Sequence, residues 1–368
     1  MSDPIVTVLM TVRNGEPYLS EAVASILNQT FRDFRFLIVD NASTDNSREI
    51  IESFGDPRVQ LVELPEDIGQ TAALNLGLRM IDTPLVARMD ADDIALPERL
   101  ARQTAYMEAH PDVSLLGTQT DAIDAKGNLL FRFRYPCGHF QLLWNLLTEC
   151  PLFHSSVMFR HEIVLNQFDG YDEHYRFSQD YDLWSRMAWD SRIASLPDVL
   201  TLWRVHESNT TSTFGSIRES EPLQISYRNI MKVGLEIDVE EWRLIRSVYL
   251  GRIEDKKSLH NSLSAMAQLR EQFIQRCAPL HACDPDALRR WITRDVSMRF
   301  IYHFAALIAS GDNAIAKAGL KELLAFDWRS AWYARRIILQ LLFGAQSYSQ
   351  LRRWWRLLVQ NNSPASFQ

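Results

Sequence analysis

Thr83-Pro84-Leu85-Val86-Ala87-Arg88-Met89-Asp90-Ala91-Asp92-Asp93 joins an apolar run to three carboxylates. The run through Met89 reads as a buried strand, and the acids fall where a central strand should end. Packing gives no reason to gather so much like charge, because each ionised neighbour makes the next harder to ionise. A divalent cation removes that penalty. Mg²⁺ or Mn²⁺ takes one or two carboxylates and completes its shell with water and substrate phosphate. The stretch therefore predicts a metal–diphosphate site at a strand tip. A solvated turn ahead of a helix opening at Pro97-Glu98-Arg99 would explain the same residues without a ligand, so context has to decide.

Upstream, strand-like and helix-like segments alternate. Ile5–Thr11 is a continuous apolar run, as in a strand covered on both faces. Leu19, Ala22, Val23, Ile26 and Leu27 then make one apolar helix stripe, opening near Pro17. Phe34–Val39 reads as a second strand, Asp45–Phe54 as a helix, Val59–Leu64 as a third strand and Gln70–Ile81 as a helix. Such alternation implies parallel strands with right-handed helical crossovers. Ligands of open parallel sheets bind beyond the carboxyl ends of the strands. Three of these ends carry polar residues suited to a nucleotide: Thr11, Asp40, and Asp90 with Asp92.

Downstream the pattern changes. Val113–Gly117, Leu129–Phe133, His154–Arg160 and Val199–Val205 are strand candidates, and Ser178–Trp184 starts a helix with Tyr181, Trp184, Met187 and Ala188 on its apolar side. After a Ser/Thr-rich link, Thr210–Ser216, the chain reads as helical, with Leu259, Leu263, Met266 and Phe273 on one stripe. Residues 331–368 hold five Arg and no acid, around Trp354-Trp355. Such a segment either lies on an anionic membrane surface or packs its Trp residues on its own domain. The expected division is 1–215 and 216–368.

Length and composition fit about two soluble domains of ordinary make-up: 368 residues, 46% hydrophobic and 23% charged. A formal charge of −7 argues against nucleic acid as a partner, which needs a basic footprint. Cys137, Cys150, Cys277 and Cys283 lack metal-type spacing and read as free thiols of a reducing compartment. The N-terminus lacks a signal-peptide pattern and no apolar run is long enough for a membrane span. A cytoplasmic protein is expected, peripheral on the membrane if residues 331–368 make that contact.

Four ordered segments, Met10–Gly15, Val39–Asp45, Arg88–Asp93 and Gln179–Trp184, together resemble family 2 glycosyltransferases of the GT-A fold. The resemblance covers residues 4–215. It implies an α/β protein with a GT-A type nucleotide-binding, mostly parallel sheet flanked by helices, followed here by an all-helical C-terminal region. It further implies inverting transfer of a sugar from a nucleoside diphosphate donor, UDP first among them, to a saccharide or lipid-linked saccharide acceptor, with Mg²⁺ or Mn²⁺. Surface-polysaccharide or glycolipid synthesis is the expected setting.

Carried over by position, Thr11 and Asp40 hold the base and Asp90 the ribose hydroxyls, with Asn14, Asp67 and Arg88 as further donor-binding candidates. Asp92 ligates the metal, His206 is a second ligand candidate, and Asp180 is the general base. Two positions depart from the pattern of many relatives. Gln179 stands where a Glu often precedes the catalytic Asp. Leu74 stands where an Arg often reaches the diphosphate, so another cation must serve, Arg88 or an Arg of the second half.

In-line displacement needs negative charge neutralised on the leaving group and, on the opposite face, a base within hydrogen-bond reach of the acceptor hydroxyl. The positive end of a helix at Asp180 is expected to lower its pKa; the alternative for that residue is a mere N-cap. His154 is either a core residue or part of an acceptor pocket, and Trp184 is assigned to the core. A sugar nucleotidyltransferase would want a Gly-rich basic loop after the first strand, and Thr11–Gly15 has one Gly. A dinucleotide oxidoreductase would want G-x-G-x-x-G there. A non-catalytic sugar-nucleotide binder would have no use for Asp180.

Overall fold

The computed structural model describes residues 4–206, 217–253, 255–279 and 283–327. The Thr210–Ser216 link, the 215/216 boundary and the basic segment 331–368 lie outside them. Two compact units divide between Asn229 and Ile230.

The first unit is built on β1 (Val6–Val12), β2 (Phe34–Asp40), β3 (Val59–Glu63) and β4 (Leu85–Asp90), parallel in the order β3-β2-β1-β4. Every residue of β1 is buried, as its unbroken apolar run requires of a strand covered on both faces. Helices α1 (Leu19–Leu27), α2 (Ser47–Ser53) and α3 (Gln70–Met80) make the crossovers. The buried residues of α1 are the five of the predicted stripe. Close packing of α3 depends on Gly77, where a Cβ would come within 2.5 Å of the Leu9 side chain. Each fully buried Leu or Ile of this core contributes about 1.5–3 kcal/mol.

Past β4 the sheet changes direction. β8 (Met158–Arg160) and then β6 (Val113–Asp124) add antiparallel. β9 (Arg192–Val205) follows parallel to β6, and the two-residue β5 (Ile94–Ala95) closes the order. β7 (Leu129–Arg132) forms a hairpin with β6. Helices α4 (Arg99–Ala109), α5 (His139–Asn145), α6 (His161–Phe168) and α7 (Gln179–Asp190) cover this half.

Two predicted strands differ in extent. β9 begins seven residues before Val199, because a register shift opposite Gly117–Gln119 accommodates Pro197, and bulges are where a sheet tolerates proline. The first half of the expected His154–Arg160 strand is instead a 3₁₀ turn, His154–Ser156. The Ser156 amide and hydroxyl both turn back to the Phe153 carbonyl, a local alternative to a ladder.

Helix α8 (Ile217–Val233) carries the chain from the first unit into the second. The second unit's described residues are helical: α9 (Val239–Tyr249), α10 (Lys256–Cys277), α11 (Pro285–Ser310) and α12 (Asn313–Phe326). Asp238, Asp255 and Asp284 cap three of them, each accepting an amide of the first turn, a contact worth about 1 kcal/mol. Leu259, Leu263, Met266 and Phe273 are buried as their stripe predicts. Among the described residues no helix is long and apolar enough to cross a membrane.

Candidate active site

Strand register sets the first part of the site. Thr11 lies between Val39 of β2 and Asp90 of β4, and Val12 pairs with Asp40. Thr11 and Asp90 are thus level with each other, and Asp40 lies one residue further along, at the end of the neighbouring strand. Asp40 is buried, and one of its oxygens accepts the Ser43 amide at 2.9 Å.

The loops after β1 and β2 are tied together. The Asn14 amide bonds the Ser43 hydroxyl at 2.9 Å, its side-chain oxygen accepts the Thr44 amide at 2.8 Å, and the Gly15 amide reaches Ser47. Asn14 and Ala42 hold φ values of 53° and 59°, a region non-glycine residues enter at some energetic cost. The clip thus engages the Asn14 side chain in the loop itself. Asp67 stands at the same mouth, accepting from the Asn41 amide at 2.6 Å and pairing with Arg13 at 2.5 Å. Leu74 is buried, and Arg13, half exposed, is the cation this loop presents.

The second part is the acidic loop. Asp90 accepts from the Arg88 guanidinium at 2.5 Å and from the Ser155 hydroxyl at 2.8 Å. Burial works against its charge, but Arg88 above all, with His154 and Ser155, holds its carboxyl below the usual range. Arg88 itself is fully buried and also donates to the Met89 carbonyl. It stands behind the cluster, so its charge reaches a ligand through Asp90 rather than by direct contact. Asp93 behaves in the opposite way: burial first, then Asp92 and Asp90, push it well above the carboxylate range. It accepts the Arg204 amide at 2.9 Å, which is a structural role.

Asp92 faces outward, about a third exposed, with an oxygen 3.0 Å from His206 Nε2. Arg204 fixes both, since its Nε donates to the Asp92 carbonyl at 3.0 Å and its strand delivers His206. Tyr18 packs against the His206 ring at 4.6 Å and under the Arg204 guanidinium. The carboxylate and the imidazole hydrogen-bond each other here, and they are donors that would together hold a Mg²⁺ or Mn²⁺ ion. Among the described residues no group of three or more His, Cys, Asp or Glu is arranged around a cation. Two protein donors suit an ion whose other positions go to phosphate and water.

The third part is the start of α7. Ser178, not Asp180, is the N-cap, and Asp180 is the second helical residue. Its carboxylate accepts the Tyr181 amide at 2.7 Å. The expectation of a lowered pKa is overturned. Desolvation dominates the Tyr181 hydrogen bond and, with the nearby charge of Asp90, raises the carboxyl to about 7. Part of its surface stays open. Since Asp90 acts on Asp180, and both act on Tyr171, α7 and the acidic loop share one neighbourhood, and neither Asp92 nor Asp180 is sealed.

A carboxylate that the sequence reading passed over, Glu221, and one it read as a first-turn charge or a partner to a basic group, Asp182, hold this helix. Glu221 accepts the amides of Arg176, Phe177 and Ser178 at 3.0, 2.9 and 3.0 Å, and so fixes the loop that leads into Asp180. Asp182 is fully buried between Arg186 and Arg228, at 2.8 and 2.6 Å. His154 is buried, 2.9 Å from the Tyr171 hydroxyl, with burial lowering its pKa to about 3; it is a neutral core residue beside the site. Trp184 is core, as expected. The Gln179 amide oxygen is buried without a hydrogen-bond partner among the described residues.

Known proteins have related sequences. The profile of glycosyl transferase family 2 matches residues 7–165. An uncharacterized glycosyltransferase of Methanocaldococcus jannaschii is 35% identical over 211 residues, 56% of this chain and 72% of that protein. The O-antigen biosynthesis glycosyltransferase WbnJ of Escherichia coli is 32% identical over 219 residues, 56% of this chain and 82% of WbnJ. Among solved structures, S. aureus TarS 1–349 in complex with UDP-GlcNAc matches with a TM-score of 0.52 at 15% identity, over 89% of this chain and 91% of that one. That likeness shows a shared fold, the GT-A type.

Proposed function

The chain belongs to glycosyltransferase family 2, and on that premise we propose that it moves a sugar from a nucleoside diphosphate to an acceptor hydroxyl with inversion, Asp180 being the base. One observation carries this reading: a partly open carboxyl at about 7 beside the acidic loop that would hold the leaving group. A base is most effective when its pKa lies near the working pH.

Thr11 and Asp40 line the base end of the donor cleft, and Asp90, kept ionised by Arg88, accepts from ribose hydroxyls. Asp92 and His206 would hold Mg²⁺ or Mn²⁺, which when bound neutralises charge growing on the diphosphate. Glu221 and Asp182 keep α7 in place, so Asp180 meets the incoming hydroxyl at a fixed angle. UDP is the nucleotide that the sequence resemblance favours. The O-antigen role in the name of WbnJ supports assembly of a surface saccharide.

A panel of nucleotide sugars with Mn²⁺, followed for slow donor hydrolysis, tests this without an acceptor. One donor should be cleaved, and EDTA should stop the cleavage. No hydrolysis of any donor would remove the transfer reading, and cleavage indifferent to EDTA would remove the cation.

A further inference from the structure

The β6–β7 hairpin leaves apolar surface open. Leu129 and Phe131 are about half exposed, at 50% and 47%, on an edge strand that pairs only with β6 among the described residues. Phe131, Phe133 and Tyr135 alternate in sequence and so share one side of an extended chain. Their ring centroids step by 5.0 Å and 6.2 Å. Phe153 and Trp203 widen this lane: Phe153 lies 4.7 Å from Phe133 and 5.6 Å from Trp203. Five aromatic rings in mutual contact ordinarily form a core, yet none of these is buried. Leu129, Leu130 and Phe131 are exposed and the other four rings are half-buried behind them; apolar surface left open in this way marks an interaction site.

Position identifies the occupant. Phe153 leads directly into the turn whose Ser155 holds Asp90. Through Phe153 the lane therefore runs from the hairpin to the turn beside the acidic loop. Ring steps of this size are comparable to one hexopyranose unit, and aromatic faces attract the C–H faces of pyranose rings while leaving the hydroxyls to polar neighbours. On the opposite side of the strand, Asp121 is bound by Arg134 at 2.8 Å and Arg132 at 3.6 Å, so both arginines are paired rather than presented to an anionic membrane.

We propose that this lane is the acceptor track, taking a saccharide of at least two hexopyranose units whose rings stack on Phe131, Phe133, Phe153 and Trp203. The proposal rests on the transfer reading above for what happens at the inner end of the lane, and the lane itself is a saccharide-binding surface.

Saturation-transfer NMR on the full chain tests it, with maltose, cellobiose, lactose, chitobiose and a mannobiose as probes. Irradiating the aromatic protons of the wild type should saturate the C–H protons of at least one disaccharide. Phe131→Ser, and Phe131→Ser with Phe133→Ala, should reduce that signal at least about fivefold; the single variant changes only an exposed ring, so loss of fold cannot explain its effect. No transfer to any disaccharide, transfer undiminished in both variants, or phosphatidylglycerol-vesicle binding that the variants lose would overturn the proposal. Donor hydrolysis in the same samples separates the two readings. Saturation without hydrolysis upholds the lane and removes the transfer chemistry, and hydrolysis without saturation removes the lane alone.

Discussion

The acidic loop after β4 and the start of α7 hold similar residues, Asp90-Ala91-Asp92-Asp93 and Gln179-Asp180-Tyr181-Asp182, and the fold treats them alike in one respect and differently in another. Each contains a buried charge with a cation supplied: Asp90 has Arg88, and Asp182 has Arg186 and Arg228. Each also contains an acid that makes no direct ion pair among the described residues, Asp93 and Asp180, and burial raises both. They differ in access. Asp93 is covered and donates structure, whereas Asp180 keeps an open edge. A buried carboxyl is ionised where a guanidinium faces it and tends to hold a proton where none does. Which of these acids can do chemistry is then decided by exposure.

The largest test of this contrast is Asp180→Asn. Transfer should fall by about 10²–10⁴, the usual contribution of a general base, while donor affinity measured by calorimetry stays close to wild type. The same variant should be more stable than wild type at pH 8. The Asp180 value of about 7 lies above the ordinary 3.8, so between those limits the native state binds more protons than the unfolded chain. Stability from this group therefore falls as pH rises through that window, by up to about 4 kcal/mol, and Asn escapes the loss. Thermal melts at pH 5 and pH 8 would expose the difference, and a gap that does not widen with pH would mean the carboxyl is not raised.

Next in size is Asp92→Ala, which removes an open acid rather than a buried one. Metal-dependent donor affinity should weaken at least about tenfold, since even outer partners of metal ligands matter by 10–100-fold. The melting temperature without donor should hardly move. A strong drop there would place Asp92 with Asp93 as a structural acid.

A smaller effect is expected where the scaffold alone is touched. Glu221→Gln keeps the shape but weakens three charge-assisted bonds to the loop before α7, each worth about 1.5–3 kcal/mol to a charged group. The turnover rate should drop about tenfold with little change in donor KM, and Glu221→Asp should restore part of it. A variant with unaltered turnover would show that α7 holds Asp180 without this clamp.

The pH profile tests the same acid in the unaltered protein. With Asp180 as base, the rate should rise about tenfold per pH unit below 7 and level off above it. A profile flat from pH 5 to 8 would contradict that role.

The amino-acid sequence by itself determined the parallel half of the sheet, the stripe of α1 and the polar strand ends at Thr11, Asp40 and Asp90. These follow from apolar periodicity and strand ends, which are properties of neighbouring residues. It did not disclose that Ser155 holds Asp90 from 65 positions away, or that Arg204 fixes Asp92 from 112. Nor did it reveal the Glu221 clamp, 43–45 residues from the amides it accepts. Helix position alone implied a lowered pKa at Asp180, because a helix terminus is a local dipole. The tertiary structure decided the opposite, because desolvation depends on how many distant segments close around a group, and here that burial outweighs the field of one helix end.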